Sequence, residues 1–340
     1  MEHNWSLYII IFAVSFAISL ISTPFSIWFA KKVGAIDKPK ARGMHKEPIP
    51  RMGGIAIVLG FMVTILVFMS FVDDFETKEC IGILIGAMII VVLGMIDDIC
   101  ELKARVKLVV QIVAAVVAVA FGVKIDIVFW PFMSKLEILS IPVTIIWIVG
   151  ITNAVNLIDG LDGLAAGLSA IAAVCLTILC MATGSSLSVF FTVALAGACL
   201  GFLPRNFNPA EVIMGDTGST FLGYILAVTS IIGVFKTYAA LAVVVGVLAI
   251  GLPIFDTAFA IVRRLANGKP IMEADRGHLH HRLIDRGYSP KKAVVIMYGI
   301  GIILSAAAII IAMRDYRVII MMIVMIIIFS MMLKVYQKRL

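Results

Sequence analysis

The chain has 340 residues, of which 62% are hydrophobic and only 14% charged, with a net charge of +7. A soluble domain of that apolarity has no water-compatible surface, so composition excludes a soluble enzyme or scaffold and requires an integral membrane protein. The basic excess follows membrane orientation, as argued below, and does not call for nucleic acid as a partner.

The first stretch free of Asp, Glu, Lys, Arg and His runs from Asn4 to Ala30. No Lys or Arg precedes it and Lys31-Lys32 follow it. That is the reverse of a cleavable signal peptide, so a retained helix is expected. The polar segment Lys31–Arg51 leads to the second stretch, Met52–Val72, and its HKEPIPRMGG end brings His45, Lys46 and Arg51 to the helix entry.

The third stretch, Cys80–Ile96, ends in GMIDDIC. Asp97 and Asp98 thus stand at a helix C-terminus that already carries partial negative charge, an unfavourable pairing unless a cation answers it. Lys103, Arg105 and Lys107 are at hand, and Mg²⁺ is the other candidate. A solvated acidic turn with local salt bridges is the structural alternative.

The fourth stretch is Leu108–Val123, after which the alternation in KIDIVFW suggests a short strand or hairpin on the opposite face. The fifth, Ile138–Ile158, runs into NAVNLIDGLDGL. There Asn156, Asp159 and Asp162 recur every three residues, which on a helical turn places them on one face. Gly160 and Gly163 let backbone come close to a ligand. The alternative is a Gly-rich loop whose polar side chains satisfy local amides.

The stretch Gly163–Pro204 covers 42 residues, about twice a span of roughly 20. Thr183-Gly184-Ser185-Ser186 divides it into a hairpin. Beyond it, NPAEVIMGDTGS opens the eighth helix, Thr217–Phe235. Thr217 or Ser219 is expected to cap it, and Asp216, between Gly215 and Thr217, is either a simple N-terminal anion or a metal ligand beside a phosphate. A ninth helix, Thr237–Phe255, precedes the basic segment 263–292 with its ADRGHLHHRL. His278, His280 and His281 with Arg276 and Arg282 suit a diphosphate. Three histidines within four residues rarely share one zinc ion. A basic surface loop is the structural alternative. Helices over Ala293–Met313 and Val318–Leu333 complete eleven.

Eleven spans put the termini on opposite sides. The segments 31–51, 97–107, 204–216, 263–292 and 334–340 hold 22 of the 28 Lys and Arg residues, so they are cytoplasmic, with the N-terminus outside and the C-terminus inside. Asp97, Asp98, Asp159, Asp162 and Asp216 then share the cytoplasmic rim. Carboxylates are costly near hydrocarbon, and five together suggest a divalent metal and a phosphorylated ligand. The five cysteines form no CxxC and read as small apolar residues. No internal repeat supports a secondary transporter, and no HExxH supports a metalloprotease.

Five motifs occur in order: PRMGG, GMIDD with Lys107 and Gln111 following, NLIDGLDGL, NPAEVIMGDTGS and RGHLHHRL. With them the chain resembles the polyprenyl-phosphate N-acetylhexosamine-1-phosphate transferase family, in particular the branch that begins teichoic acid, enterobacterial common antigen and O-antigen synthesis. The resemblance implies an all-α polytopic fold, one transferase domain over residues 1–340, in the bacterial plasma membrane with its site on the cytoplasmic face. It implies transfer of N-acetylglucosamine 1-phosphate from UDP-N-acetylglucosamine to undecaprenyl phosphate, with release of UMP and a requirement for Mg²⁺ or Mn²⁺. Asp216, with Asp97 beside it, is the implied metal ligand, and Asp97, Asp98 and Asp216 form the implied catalytic set. Asn156, Asp159 and Asp162 match nucleotide-site positions; Lys107 and Asn206 match positions lining the phosphates. Arg51, Arg276, His278, His280, His281 and Arg282 complete the implied substrate contacts, and Asp256 is read as reaching the sugar or else Arg263 or Arg264. Many family members carry an aromatic residue three places before the metal aspartate, where Ile213 stands here. The sister enzymes that transfer phospho-N-acetylmuramoyl-pentapeptide carry a loop more like HHHYE and are the alternative. Membrane lipid is an implied partner, and a homodimer is left open.

Overall fold

The computed structural model describes residues 5–37, 47–71, 77–125, 133–235, 242–266 and 278–313. His45, Lys46, Arg276, most of KIDIVFW and the expected span Val318–Leu333 lie outside the described residues.

The described chain is almost wholly helical. Its helices are α1 (Trp5–Val33), α2 (Gly54–Phe68), α3 (Thr77–Cys100), α4 (Ala104–Ala120), α5 (Met133–Ile158) and α6 (Leu164–Thr183). They continue with α7 (Ser186–Asn206), α8 (Gly215–Ser230), α9 (Ala242–Ala249), α10 (Gly251–Ala266), α11 (Leu279–Asp285) and α12 (Pro290–Met313). Eight of them, α1 to α3, α5 to α8 and α12, are long and apolar enough to cross a membrane. The hairpin expected at Thr183–Ser186 is present between α6 and α7.

Two expectations change. The ninth span is two helices, broken at Ile250, because Pro253 has no N–H to offer the Ala249 carbonyl. Asp256 therefore lies inside α10 rather than at the end of a longer helix. Helix α5 begins at Met133, so the polar segment before Ser140 is partly helical.

The core is organised around α8, whose residues from Gly215 to Ser230 are all buried. It packs against α2, α3 and α5. Buried hydroxyls must find partners, and two of them bond along the helix itself, Thr220 to the Asp216 carbonyl (2.5 Å) and Thr229 to that of Ile225 (2.7 Å). Serines join α1 to α7: Ser15 donates to the Ala194 carbonyl (2.6 Å) and Ser19 to that of Ala198 (2.7 Å). In a lipid-surrounded bundle such interhelical bonds hold where the hydrophobic effect does not discriminate. Ile9, Ile21 and Phe25 of α1 and Met88 and Val92 of α3 remain exposed, as lipid-facing residues should be.

A two-residue ladder joins β1 (Ile36–Asp37) to β2 (Ile49–Pro50). Arg51 then makes a parallel bridge to Ile213. The Gly53 amide donates to the Ile213 carbonyl (2.9 Å) and the Gly54 amide to that of Met214 (2.8 Å). These bonds fix Arg51 against the entrance of α8.

Candidate active site

The end of α3 meets the start of α8, and Asp98 makes the joint. Its Oδ1 accepts from the Asp216 amide (2.8 Å) and meets Arg51 Nε (3.0 Å). Its Oδ2 accepts from the Thr217 amide (3.0 Å) and hydroxyl (2.6 Å). The first amides of a helix lack internal partners and favour a negative charge. The expected caps, Thr217 and Ser219, are thus replaced by a carboxylate from another helix. Gly215 makes this approach workable: its φ is +73°, and a Cβ there would stand 2.5 Å from Asp98 Oδ2.

Asp97 and Asp216 serve differently. Lys107 Nζ lies between them, 3.0 Å from Asp97 Oδ2 and 2.6 Å from Asp216 Oδ2. Asp216 also accepts from Arg51 Nη2 (2.9 Å) and Asn156 Nδ2 (3.2 Å), while Ser219 donates to Asn156 Oδ1 (2.9 Å). Burial opposes the Arg51 charge, but Asp98 and Asp216 outweigh it and hold the guanidinium above its ordinary value. The α3–α4 elbow sets Asp97: the Leu102 amide donates to Oδ1 (2.8 Å), and Glu101 takes a φ of +47° to close the turn. The charge problem of two acids at a helix end is answered by Arg51 and Lys107.

Asp97 and Asp216 fit a small hard cation. They are oxygen donors converging on one positive charge, and Mg²⁺ characteristically takes one or two carboxylates and completes its shell with water and substrate phosphates. Among the described residues no group of three or more His, Cys, Asp or Glu is arranged as a protein cage for a metal.

The NLIDGLDGL segment departs from the single helical face expected of it, because α5 stops at Ile158 and a turn follows. Asn156 remains on α5 and reaches Asp216. Asp159 lies half-buried in the turn, where partial desolvation and then the negative charge of Asp216 raise its carboxyl above the usual range. Asp162 turns elsewhere, accepting from Asn208 Nδ2 (3.0 Å) and the Ala210 amide (3.1 Å). Asn206 is buried and committed at both ends, to the Gly163 amide (3.1 Å) and the Val212 carbonyl (3.0 Å). These two hold the turn and the 207–213 loop in register.

The histidines open α11. His278 precedes it, with Nδ1 2.8 Å from Asp256 Oδ2, and its ring stacks on His280 at 5.8 Å. His280 is buried, and neither ring nitrogen finds a hydrogen-bond partner among the described residues. Burial, then the neighbouring His281 ring, pushes His280 down to about 4, so it is neutral near pH 7. It lies against Gly160, where a Cβ would run into Nε2. The histidine segment is thereby joined to the turn that carries Asp159. Arg282 is exposed on α11. Sequence reasoning missed Asn153, which donates to Gln111 Oε1 (2.6 Å) and ties α5 to α4. Its spacing of three from Asn156 in an apolar run was the available signal.

Residues 80–234 match the model of glycosyl transferase family 4. The chain is 40% identical over 306 residues to a probable undecaprenyl-phosphate N-acetylglucosaminyl 1-phosphate transferase of Bacillus subtilis, covering 89% of this chain and 84% of that one. It is 34% identical over 312 residues to the decaprenyl-phosphate N-acetylglucosaminephosphotransferase of Mycobacterium tuberculosis, covering 82% and 76%. A phospho-N-acetylmuramoyl-pentapeptide-transferase of Halalkalibacterium halodurans is 31% identical over 317 residues, covering 87% and 94%.

Proposed function

Since the chain belongs to glycosyl transferase family 4, we propose that it moves N-acetylglucosamine 1-phosphate from UDP-N-acetylglucosamine to undecaprenyl phosphate, releasing UMP. It is a multi-pass protein of the bacterial plasma membrane. Its product, a lipid-linked sugar, starts a cell-envelope polysaccharide such as teichoic acid. The observation that carries this reading is the meeting of two buried carboxylates, Asp97 and Asp216, with the half-buried Lys107, Arg51 and Asn156 at the ends of apolar helices. The N-acetylglucosaminyl relatives, at 40% and 34% identity, support that sugar over the muramoyl peptide. The cytoplasmic side is assigned to this rim from the distribution of Lys and Arg, with the N-terminus outside.

Phosphoryl transfer depends on in-line positioning and charge neutralisation. Lys107 and Arg51 supply fixed positive charge at the rim. Asn156, held by Ser219, orients a polar edge, and Asp98 keeps the start of α8 rigid beneath them. A phosphate monoester is already largely ionised near neutral pH, so the acceptor needs orientation more than a base. Asp97 and Asp216 would hold Mg²⁺ or Mn²⁺, which when bound neutralises phosphate charge. An apolar groove along α3 and α4, lined by Leu84, Met88, Val92, Ile96, Leu102 and Val106, leads a lipid tail toward the rim, since Leu102 is also the residue whose amide holds Asp97.

Purified protein given UDP-N-acetylglucosamine, undecaprenyl phosphate and Mg²⁺ is expected to release UMP and form a lipid-linked sugar, and to stop when a chelator is added. Folded protein that turned over only the muramoyl-pentapeptide donor would move it to the sister enzymes, and silence with every UDP-sugar would overturn the reading. Gly160→Ala is expected to displace His280 and slow transfer by about 10²-fold, as small misplacements near a reacting centre do. Wild-type rates in that variant would show that the contact between the turn and the histidine segment is dispensable.

A further inference from the structure

We propose that Asp256 is a positioning residue for this site: by accepting Nδ1–H of His278, it makes Nε2 the nitrogen that His278 presents to the donor diphosphate. The inference rests on the transferase reading for the identity of the ligand, but not for the pairing itself.

Both oxygens of Asp256 are committed to the start of α11. Oδ2 is 2.8 Å from His278 Nδ1, and Oδ1 accepts the Leu279 amide at 2.8 Å. The two side chains are almost wholly buried, 6% exposed for His278 and 9% for Asp256. An ionised carboxylate only accepts, so the Nδ1 that faces it carries the hydrogen whether the ring is neutral or charged. That leaves Nε2 for a ligand. At seven residues α11 is too short to hold itself, and the Leu279 amide is one of the orphan donors of its first turn. Asp256 therefore sets both where the segment begins and which way its first ring is protonated. The order extends inward: His278 stacks on His280, and His280 lies against Gly160 beside Asp159. The sequence offered Asp256 the sugar, or Arg263 or Arg264, as partners; its carboxylate reaches across from α10 to His278.

A clamp that merely holds α11 makes a different prediction from one that sets the ring. Asp256→Asn separates them. The amide oxygen can still accept the Leu279 N–H, but the amide NH₂ can only donate to Nδ1, which drives the ring proton to Nε2. The segment stays anchored while the tautomer inverts and the compensating charge is lost.

The test uses full-length protein in detergent with ¹⁵N-labelled histidine; with only five histidines in the chain the ring signals are few, and His278→Gln identifies the relevant one. The wild-type ring is expected to be protonated at Nδ1 and the Asp256→Asn ring at Nε2. In that variant kcat should fall about 10- to 100-fold, as when the oriented partner of a working histidine is lost, with KM for UDP-N-acetylglucosamine within about threefold. Three results would overturn the proposal: a wild-type ring protonated only at Nε2, an inverted ring with kcat within about threefold of wild type, or a loss of turnover that tracks a fall in thermal midpoint. Wild-type protein that is folded yet leaves the donor untouched sinks the transferase reading instead. The wild-type spectrum then decides the Asp256–His278 pairing by itself.

Discussion

Asp216→Asn is expected to cut transfer by about 10³-fold, the scale seen when one element of a preorganised electrostatic site is removed, while leaving the thermal midpoint near that of wild type. The carboxylate of Asp216 is where Lys107 (2.6 Å), Arg51 (2.9 Å) and Asn156 (3.2 Å) meet. An amide there leaves two cations facing a neutral group and removes half of the proposed metal-binding pair. The backbone around it is secured independently, because Asp98 holds the Asp216 and Thr217 amides. Steady-state UMP release alongside a thermal melt in the same detergent checks both halves. Near-normal turnover would remove Asp216 from the reacting centre, and collapse of the melt would make its role structural.

Asp98→Asn should behave differently, losing stability as well as turnover. Four donor contacts converge on Asp98, from the Asp216 and Thr217 amides, the Thr217 hydroxyl and Arg51. The NH₂ of asparagine must face one pair of them. An orphaned buried donor costs about 1–3 kcal/mol, and Arg51 loses a charged partner in a poorly solvated place, so a total of about 3 kcal/mol is expected. Asp97→Asn is the control: it touches one backbone amide, that of Leu102, besides Lys107 and the neighbouring Asp216 carboxylate, so it should lose turnover with a much smaller change in stability. A stable, active Asp98→Asn variant would refute the capping role, and equal melts for the two variants would erase the distinction between neighbouring acids.

The apolar stretches, the α6–α7 hairpin and the cluster of rim carboxylates were legible in the sequence because each depends on local pattern. The division of labour between Asp97 and Asp98 was not, since the amide that Asp98 caps lies 118 residues away. Asp162 and Asn206 were read as ligand contacts from the family's motifs; in the fold Asp162 meets the Asn208 side chain and the Ala210 amide, and Asn206 the Gly163 amide and the Val212 carbonyl. Motif membership does not say which way a side chain turns. The break between α9 and α10 was readable at Pro253, but an uninterrupted apolar run masked it. The histidine cluster looked cationic on paper. Burial makes its central ring neutral, and the nearby carboxylate of Asp256 comes from a helix that no pattern along the chain joins to it.

The joint between Asp98 and α8 also bears on how the chain is made. Asp97 and Asp98 are synthesised long before the amides of Asp216 and Thr217 exist, but Arg51 is already made and Lys107 follows within ten residues of Asp97. The first four helices thus carry their own neutralising charges and can leave the insertion machinery without bare acids. Helix α8 is made later and packs against α2, α3 and α5, all earlier in the chain, bringing the amides that Asp98 caps. Full assembly of the rim is therefore delayed until Asp216 is threaded, more than a hundred residues after Asp98.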